Sequence, residues 1–593
     1  MKKTLFSLFL LLSVAPMWAQ TDTLVASELT DTKPHDGNEV WARVPDAVQM
    51  AWGSTDVRYA KMNVPRGRMA KSLRLDAWAG ERVMAQAVVW TRHDIVSPRV
   101  EATALTCGRE VIDAKAVNAG FVGYVMTDEL NHNGKSNCGH RPNKADFDSS
   151  MVADMVYGPH IGRIPRCTTR PVWVNVWVPA LTRAGIYKGK IVITGDKGEK
   201  AEVALEVKVG SRQLPAPKDW AFDLDLWQNP YAVARVMGVK LWSREHFDAM
   251  LPVMKMLADA GQKSITASIM HHPWNGQTED PFCSMIQRTL TVDGQWKYDY
   301  TVFDRWVEFM TREVGITGTI DCYTMIPWAL QFDYYDQASN TVKFVNARPQ
   351  DAAYRDYWLP FLRDFARHLR QRGWFERAAI SMDERMLEDM QSAIAVIREA
   401  DADFHITLAG NYHKEIEHEL ADLSVPYGSP LDRSIIAERR SRGQSTTCYI
   451  CCTESFPNTF TFSDPAEGAF IPIHAMVQGY DGLLRWAYNS WTADPMRDTR
   501  FRSWPAGDTY IVYPGGRSSM RFDRLVEGIQ CCEKVRLLRA ELQAKGNRRA
   551  LKRIDEALKV FGWGGLEHTQ MPTGERISRL QRVLNSQIGR AHV

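Results

Sequence analysis

The sequence predicts an N-terminal β-sandwich followed by a (β/α)8 TIM barrel with a C-terminal helical extension. Three features carry this reading. Short segments that alternate apolar and polar residues fill positions 38–210, the period of half-buried strands. A proline-rich joint, Leu214-Pro-Ala-Pro-Lys218, follows them. Beyond it, eight strand-like segments alternate with amphipathic helical ones over roughly 270 residues, as a barrel built from βα units requires.

Length and composition agree with a large globular chain. The 593 residues suggest about two to four domains. With 45% apolar and 24% charged residues, the disordered, collagenous and coiled-coil classes are excluded. Lys and Arg number 73 against 70 Asp and Glu, a net +3, so neither nucleic acid nor an anionic membrane is expected as the main partner. The 20 Trp, 19 Tyr and 22 Phe suit sugar recognition, where aromatic faces stack on the apolar faces of pyranose rings, although such residues also fill cores.

At the N-terminus, Lys2 and Lys3 precede an apolar run from Leu5 to Val14 and a small residue, Ala19, the pattern of a signal peptide over residues 1–19. No later stretch reaches the ~18 uncharged apolar residues of a spanning helix. An exported protein, periplasmic or secreted and without membrane insertion, is expected. The remaining domains read as a sandwich over 20–213, a barrel over 219–545 and a helical tail over 546–593. The last six residues, Ile588-Gly-Arg-Ala-His-Val593, resemble translated sequencing adapter.

Cys107, Cys138, Cys167, Cys283 and Cys322 are scattered, whereas Cys448, Cys451, Cys452, Cys531 and Cys532 cluster. Export permits disulfides, but pairing does not follow from sequence. Cys448-Tyr-Ile-Cys451 has the spacing of a zinc knuckle without a second pair or a nearby His. Buried small apolar residues are therefore expected there, not a metal.

In the first half the expected strands are Glu39–Val44, Ser72–Ala79, Glu81–Thr91, Val172–Val178, Tyr187–Thr194 and Ala201–Val209. The alternate β-branched residues of Val172–Val178 read as one packed face. Between Gly120–Asp128 and Ser149 runs a Gly/Asn/Lys-rich loop, starting at His132, that could reach a neighbouring element. In the second half the strands are Ala221–Trp227, Ser264–Met270, Asp321–Ile326, Ala378–Met382, His405–Ala409, Leu423–Pro426, Thr447–Thr453 and Leu483–Tyr488. Between them lie helices such as Arg244–Ala260, Val302–Glu313, Tyr354–Arg372, Arg385–Ala400 and Ala466–Val477, and Phe522–Leu542 and Ala550–Val560 close the chain.

In such a barrel the chemistry sits at the C-terminal ends of the strands. Those ends carry His271, His272 and Trp274; Trp328; Asp383 and Glu384; Asn411 and Tyr412; Glu454; and Trp486, Tyr488, Asn489 and Trp491. Carboxylates, amides and aromatics together are what a glycosidase needs: acid/base groups, hydroxyl-binding groups and stacking faces. Asp383-Glu384 is the sharpest feature. Cleaving a glycosidic bond takes a carboxylic acid to protonate the leaving oxygen and a group to stabilise the anomeric cation. Glu384 fits the acid. On a 2-acetamido sugar the substrate's own carbonyl oxygen can attack, with Asp383 orienting the acetamido N–H and Tyr412 or Tyr488 donating to the carbonyl. Against this, Asp-Glu also suits the start of the following helix, where carboxylates are favoured. A rival assignment makes Glu454 a direct nucleophile, although the retaining barrel glycosidases of that kind usually carry Asn before the acid, where this chain has Asp383. His271-His272 lacks a third ligand, so neither metal nor cofactor is expected.

The segments Trp52-Gly-Ser-Thr-Asp-Val-Arg-Tyr59 and Leu73–Thr91, with Ser381-Met-Asp-Glu384, Tyr513-Pro-Gly-Gly516 and Arg521…Leu525-Val-Glu-Gly528-Ile, resemble glycoside hydrolase family 123, the exported β-N-acetylgalactosaminidases. The resemblance runs from about residue 39 to residue 540. It implies a β-sandwich ahead of a TIM barrel and an exo-acting, retaining, substrate-assisted and metal-free mechanism. In it Asp383 orients the acetamido group and Glu384 is the acid/base, acting on glycans or glycolipids with terminal β-GalNAc. Cys531-Cys532, just after the Glu-Gly-Ile motif, departs from the acidic or aromatic residues expected there. A glycan-binding surface protein without turnover is the alternative outside enzymes.

Overall fold

The computed structural model describes residues 28–141, 143–563 and 570–586; the signal segment and the last six positions lie outside them. The first half holds two β-sheets. One is five-stranded and antiparallel, in the order Gln49–Gly53, Arg82–Thr91, Thr168–Trp177, Val117–Asn131, Phe147–Gly158. The other contains Ser72–Ala79, Lys200–Gln213, Gly185–Thr194, Leu105–Cys107 and Glu110–Ile112, with Arg99–Ala102 paired to Gly185–Thr194. Trp52, Val89 and Val174 from the first sheet share one apolar core with Ile191, Leu205 and Val207 from the second.

One expectation is corrected here. Glu39–Val44 is not a strand; Asn38–Trp41 forms a single helical turn whose buried Trp41 donates to the Met62 carbonyl (3.2 Å). Six residues of alternating polarity fit either form. In the strand Thr168–Trp177 the alternate residues Val172, Val174 and Val176 form the packed face expected of them, and Trp173 is buried on the opposite side as well.

The second half is an eight-stranded, all-parallel sheet. Its strands in chain order are Asp223–Leu226, Ile265–Ser268, Ile320–Tyr323, Ala378–Asp383, His405–Ala409, Asp422–Pro426, Ser445–Tyr449 and Gly482–Arg485. In space the first strand lies beside the eighth, and the order then descends to the second. A ladder closed all the way round, as the expected TIM barrel would have, is not present. The first strand meets only the residues just ahead of the second, through one bridge of Leu224 with Gln262. Side chains occupy the rest of that seam. Gln262 Oε1 accepts from Leu226 N–H (2.9 Å), Gln228 Oε1 accepts from Thr266 N–H (2.9 Å), and Thr266 Oγ1 accepts from Gln228 N–H (3.2 Å).

Helices connect these strands where the sequence places caps. Ser243 caps Arg244–Ala258, Asn229 caps Pro230–Met237, and Asp464 with Glu467 forms a capping box on Pro465–Gln478. The fifth and sixth strands are joined without an α-helix, through the short turn Glu417–Glu419. The periodicity misses an insertion, a four-stranded sheet of Gln287–Leu290, Trp296–Asp299, Gln331–Asp336 and Thr341–Asn346 flanking the third strand. No described helix is long and apolar enough to cross a membrane.

The long helix Met520–Ala544 fastens the two halves. Asp154, on the five-stranded sheet and fully buried, accepts from Arg521 Nε (3.1 and 3.0 Å), Arg58 (3.0 Å) and Tyr513 Oη (2.6 Å). Asp523 accepts from Trp173 Nε1 and Asn175 Nδ2, each 2.8 Å. Removing one partner of a buried ion pair strands the other charge in a low dielectric. Asp154→Ala is therefore expected to cost about 3–5 kcal/mol in urea unfolding. A loss below about 1 kcal/mol, the scale of an exposed pair, would show that Asp154 does not hold the junction.

Candidate active site

The pocket opens at the C-terminal end of the parallel sheet, a cavity of about 360 Å³. Its floor is aromatic. Trp227 lies 5.4 Å from Trp274 and 4.4 Å from Tyr323 between ring centroids, and Tyr449, Leu484 and Ala409 complete the cluster. Asp225, one layer deeper, accepts from Trp227 Nε1 (3.1 Å) and Ser264 Oγ (2.5 Å), which fixes the Trp227 ring. Burial pushes the Asp225 carboxyl up to about 6, against the hydrogen bond from Ser264.

Asp383 is the last residue of the fourth strand, and Glu384 is the first beyond it. Adjacent residues on a pleated strand point to opposite faces; the end of the strand is what lets both reach one pocket. Asp383 is buried and Glu384 exposed. Burial raises the Asp383 carboxyl to about 7, opposed by the Arg385 guanidinium and reinforced by the neighbouring Glu384. Arg385 reaches Asp383 at 2.7 Å, donates to the Ile326 carbonyl at 2.8 Å, and stacks on Trp328 at 4.1 Å. Tyr449, ending the seventh strand, donates its hydroxyl to Glu384 Oε1. The phenol is pushed well up, first by burial and then by that carboxylate.

Of the residues singled out in the sequence, Asp383, Glu384, Trp274, Trp328 and Trp486 line this cavity. Glu454 does not. Its carboxylate turns back to accept from Cys451 N–H (3.0 Å), and burial raises it. Tyr488, Asn489 and Trp491 are corrected to core positions. Tyr488 donates to the Val253 carbonyl (2.8 Å), Asn489 to that of Asn229 (2.8 Å) and Trp491 to that of Val512 (2.7 Å), and all three are fully buried. The eighth strand ends at Arg485, and Tyr488 N–H bonds the Trp227 carbonyl, so the chain has already turned inward. Asn411 is exposed and Tyr412 packs against the core of the parallel-sheet half, neither on the cavity.

His271 also lies off the cavity, its ring 4.0 Å from that of His272. The two imidazoles meet instead of diverging because His272 sits at φ +49°. Among the described residues no group of three or more His, Cys, Asp or Glu is placed to hold a metal ion.

Trp227, at the end of the first expected strand, lines the cavity as well; the sequence reading missed Tyr449, Gln277 and Trp504, and the contribution of the first half of the chain, Cys138 and Gly139. Tyr449 fell inside a strand taken to run to Thr453; the ladder stops four residues earlier. Trp504 follows the eighth strand in a long loop with no periodicity to mark it.

Residues 227–538 match the description "Glycoside hydrolase 123, catalytic domain", and residues 52–195 match "Glycoside hydrolase 123 N-terminal domain". The fold and site are those of a glycoside hydrolase. The chain belongs to glycoside hydrolase family 123. Among solved structures, a family 123 glycoside hydrolase from Clostridium perfringens, described for glycolipid glycan hydrolysis, superposes with a TM-score of 0.79 at 23% identity, covering 91% of this chain and 99% of that one. A putative glycoside hydrolase from Bacteroides vulgatus gives 0.31 at 10% identity, covering 78% of each chain. No curated protein matches the chain.

The hydrogen bond from Tyr449 fixes where Glu384 sits. Tyr449→Phe should lower kcat/KM on an aryl glycoside by ~10–100-fold, the range for losing a hydrogen bond to a charged group, with an unchanged thermal transition. Activity within twofold of wild type would show that Glu384 is held by other contacts.

Proposed function

We propose that the protein is an exported, exo-acting, retaining glycoside hydrolase that removes terminal β-N-acetylgalactosamine from glycans or glycolipids by substrate-assisted catalysis. One observation carries the reading: among the described residues lining the cavity, the only carboxylates are the adjacent Asp383 and Glu384. A direct-nucleophile retaining enzyme needs a second carboxylate about 5–5.5 Å from the acid, across the sugar. The rival candidate, Glu454, is off the cavity and engaged with Cys451. The nucleophile then has to come with the substrate, and a 2-acetamido group brings one.

In this mechanism Glu384 gives its proton to the glycosidic oxygen as the C1–O bond breaks. The acetamido oxygen forms the new bond to C1, giving an oxazolinium ion. Asp383, as a carboxylate, accepts the acetamido N–H and offsets the positive charge that develops there. Glu384 then takes a proton from water as the water attacks C1, which restores the acetamido group and the β configuration. Trp227 and Trp274 offer faces to the sugar ring. The glycolipid glycans named for the Clostridium perfringens enzyme support the substrate class. The Cys138–Cys452 disulfide supports an oxidising compartment, in keeping with the signal pattern over 1–19.

The test is release of p-nitrophenol from β-GalNAc, β-GlcNAc and β-Gal glycosides, with a thiazoline inhibitor in parallel. Cleavage of β-GalNAc that the thiazoline blocks is expected; cleavage of β-Gal indifferent to it would overturn substrate assistance. Glu384→Gln should lose ~10²–10⁴-fold in rate, most on poor leaving groups. The pH profile is a separate check. Asp383 must be ionised to accept the N–H, and its carboxyl is raised to about 7, so kcat/KM should fall on the acid side through about pH 7. A plateau reaching down to about pH 5, nearer an ordinary carboxylate, would sink that role for Asp383.

A further inference from the structure

The mouth of the cavity is built partly by the other half of the chain. The segment Ser136–Arg141 leaves the five-stranded sheet, crosses to the parallel-sheet domain and is fastened there at several points. Cys138 is disulfide-bonded to Cys452, 314 residues away in sequence, with a Cα–Cα distance of 5.0 Å. Ser136 Oγ donates to the Thr453 carbonyl (3.2 Å), and Ser455 Oγ donates to that of Gly134 (3.0 Å). The root of the segment is equally fixed. Arg141, 3% exposed, pairs with Asp128 (3.0 Å), donates to the Ser136 and Glu129 carbonyls (2.5 and 2.9 Å), and stacks on Phe147 (3.6 Å).

The tip reaches the aromatic wall. Gly139 has φ +69°, and a Cβ there would come within 3.1 Å of the Trp504 ring. Trp504 is held by its indole N–H on the Gln277 carbonyl (3.0 Å) and meets Trp486 edge-on at 6.2 Å. Depth separates these groups. Trp227, Trp274, Tyr449 and Leu484 on the floor are buried, whereas Gly139, Thr453 and Glu384 are exposed at the mouth. A terminal sugar seated on the floor beside Asp383 directs its glycosidic oxygen to Glu384, and whatever is bonded to that oxygen emerges between Glu384 and the tethered segment.

We propose that Ser136–Arg141, pinned by the Cys138–Cys452 disulfide, is the wall that receives the leaving group, and that it makes extended glycans better substrates than simple aryl glycosides. The proposal rests on the glycosidase reading above. Cys138, Gly139 and Cys452 are positioning residues that act on the substrate's second unit and beyond.

Wild type, a Cys138→Ser/Cys452→Ser double variant and Gly139→Ala are compared on p-nitrophenyl β-GalNAc and on a tetrasaccharide ending in β-GalNAc, with thermal transitions recorded. The double variant should lose about tenfold in kcat/KM on the tetrasaccharide, mainly through KM, and no more than about threefold on the aryl glycoside. Gly139→Ala should shift the ratio the same way. Dithiothreitol on wild type should reproduce the shift below its thermal transition, and reoxidation should restore it. Equal losses on both substrates, or no loss on the tetrasaccharide, overturn the proposal. A wild type that cleaves β-galactosides alone defeats the GalNAc reading but not this one, and the ratio is then taken on the matching β-galactoside pair. Should wild type cleave neither, tryptophan-fluorescence titration of Glu384→Gln with GalNAc and with the tetrasaccharide decides. A preference for the tetrasaccharide that vanishes without the disulfide supports the wall, and affinities indifferent to the disulfide overturn it.

Discussion

A carboxylate with no exposed surface, Asp154, governs how the two halves of this chain meet. It accepts from two guanidinium groups and a phenol, those of Arg58, Arg521 and Tyr513, and so gathers three side chains from different parts of the chain at one point. Geometry matters here more than energy, because an ion pair of this kind gains little over an apolar contact of equal volume but tolerates few arrangements. Arg521 stands in the first turn of the helix Met520–Ala544, so fixing its side chain fixes the helix against the five-stranded sheet. The same helix meets Pro465–Gln478 closely. A Cβ on Gly528 would lie 2.4 Å from the Ala469 carbonyl, so glycine is required by space there. Cys531 and Cys532 belong to this buried face, and the Cys532 thiol approaches the Pro472 carbonyl (3.3 Å). Small polarizable thiols suit the close approach, which accounts for residues that seemed out of place in the sequence.

The active-site mouth depends on that arrangement. Asp128, at the far end of a central strand, accepts from Ala506 N–H (2.8 Å) while pairing with Arg141. Ala506 is two residues from Trp504. One carboxylate thus connects the sheet, the tethered segment and the loop that carries an aromatic wall. The isolated Met126–Asp498 bridge lies beside it, so the junction includes backbone hydrogen bonds and not only side-chain contact.

The parallel sheet was legible because its strands are continuous apolar runs separated by amphipathic helices, and eight of eight proposed segments overlap observed strands. That Asp383 and Glu384 end a strand and reach the cavity was legible because a parallel sheet gathers its strand ends on one side. Two kinds of information were not. Strand ends were misplaced by a few residues, since an apolar run continues past the ladder into loops that fold back on the core; this moved Tyr488 and Trp491 out of the site and hid Tyr449. Pairings across the domain junction were also hidden. Cys138 and Cys452 are hundreds of residues apart, and nothing local marks either. The closely spaced Cys448 and Cys451, which do look like a motif, are unpaired thiols, Cys448 buried in the core and Cys451 partly so.

Asp383 and Glu384 show why their order on the strand matters. The residue that completes the ladder is surrounded by the aromatic floor and loses water; the next residue has left the sheet and faces the opening. Burial favours the neutral form of Asp383, and Arg385 opposes this by placing its guanidinium 2.7 Å away while Trp328 covers it from the other side. Glu384 keeps access to water, as the acid/base role proposed for it requires, and Tyr449 holds it in place. Two chemically similar carboxylates, one peptide bond apart, are given different surroundings by a single step from strand to loop. On the proposed mechanism, reversing them would put the proton donor where water cannot reach and leave the group that accepts the acetamido N–H exposed to screening.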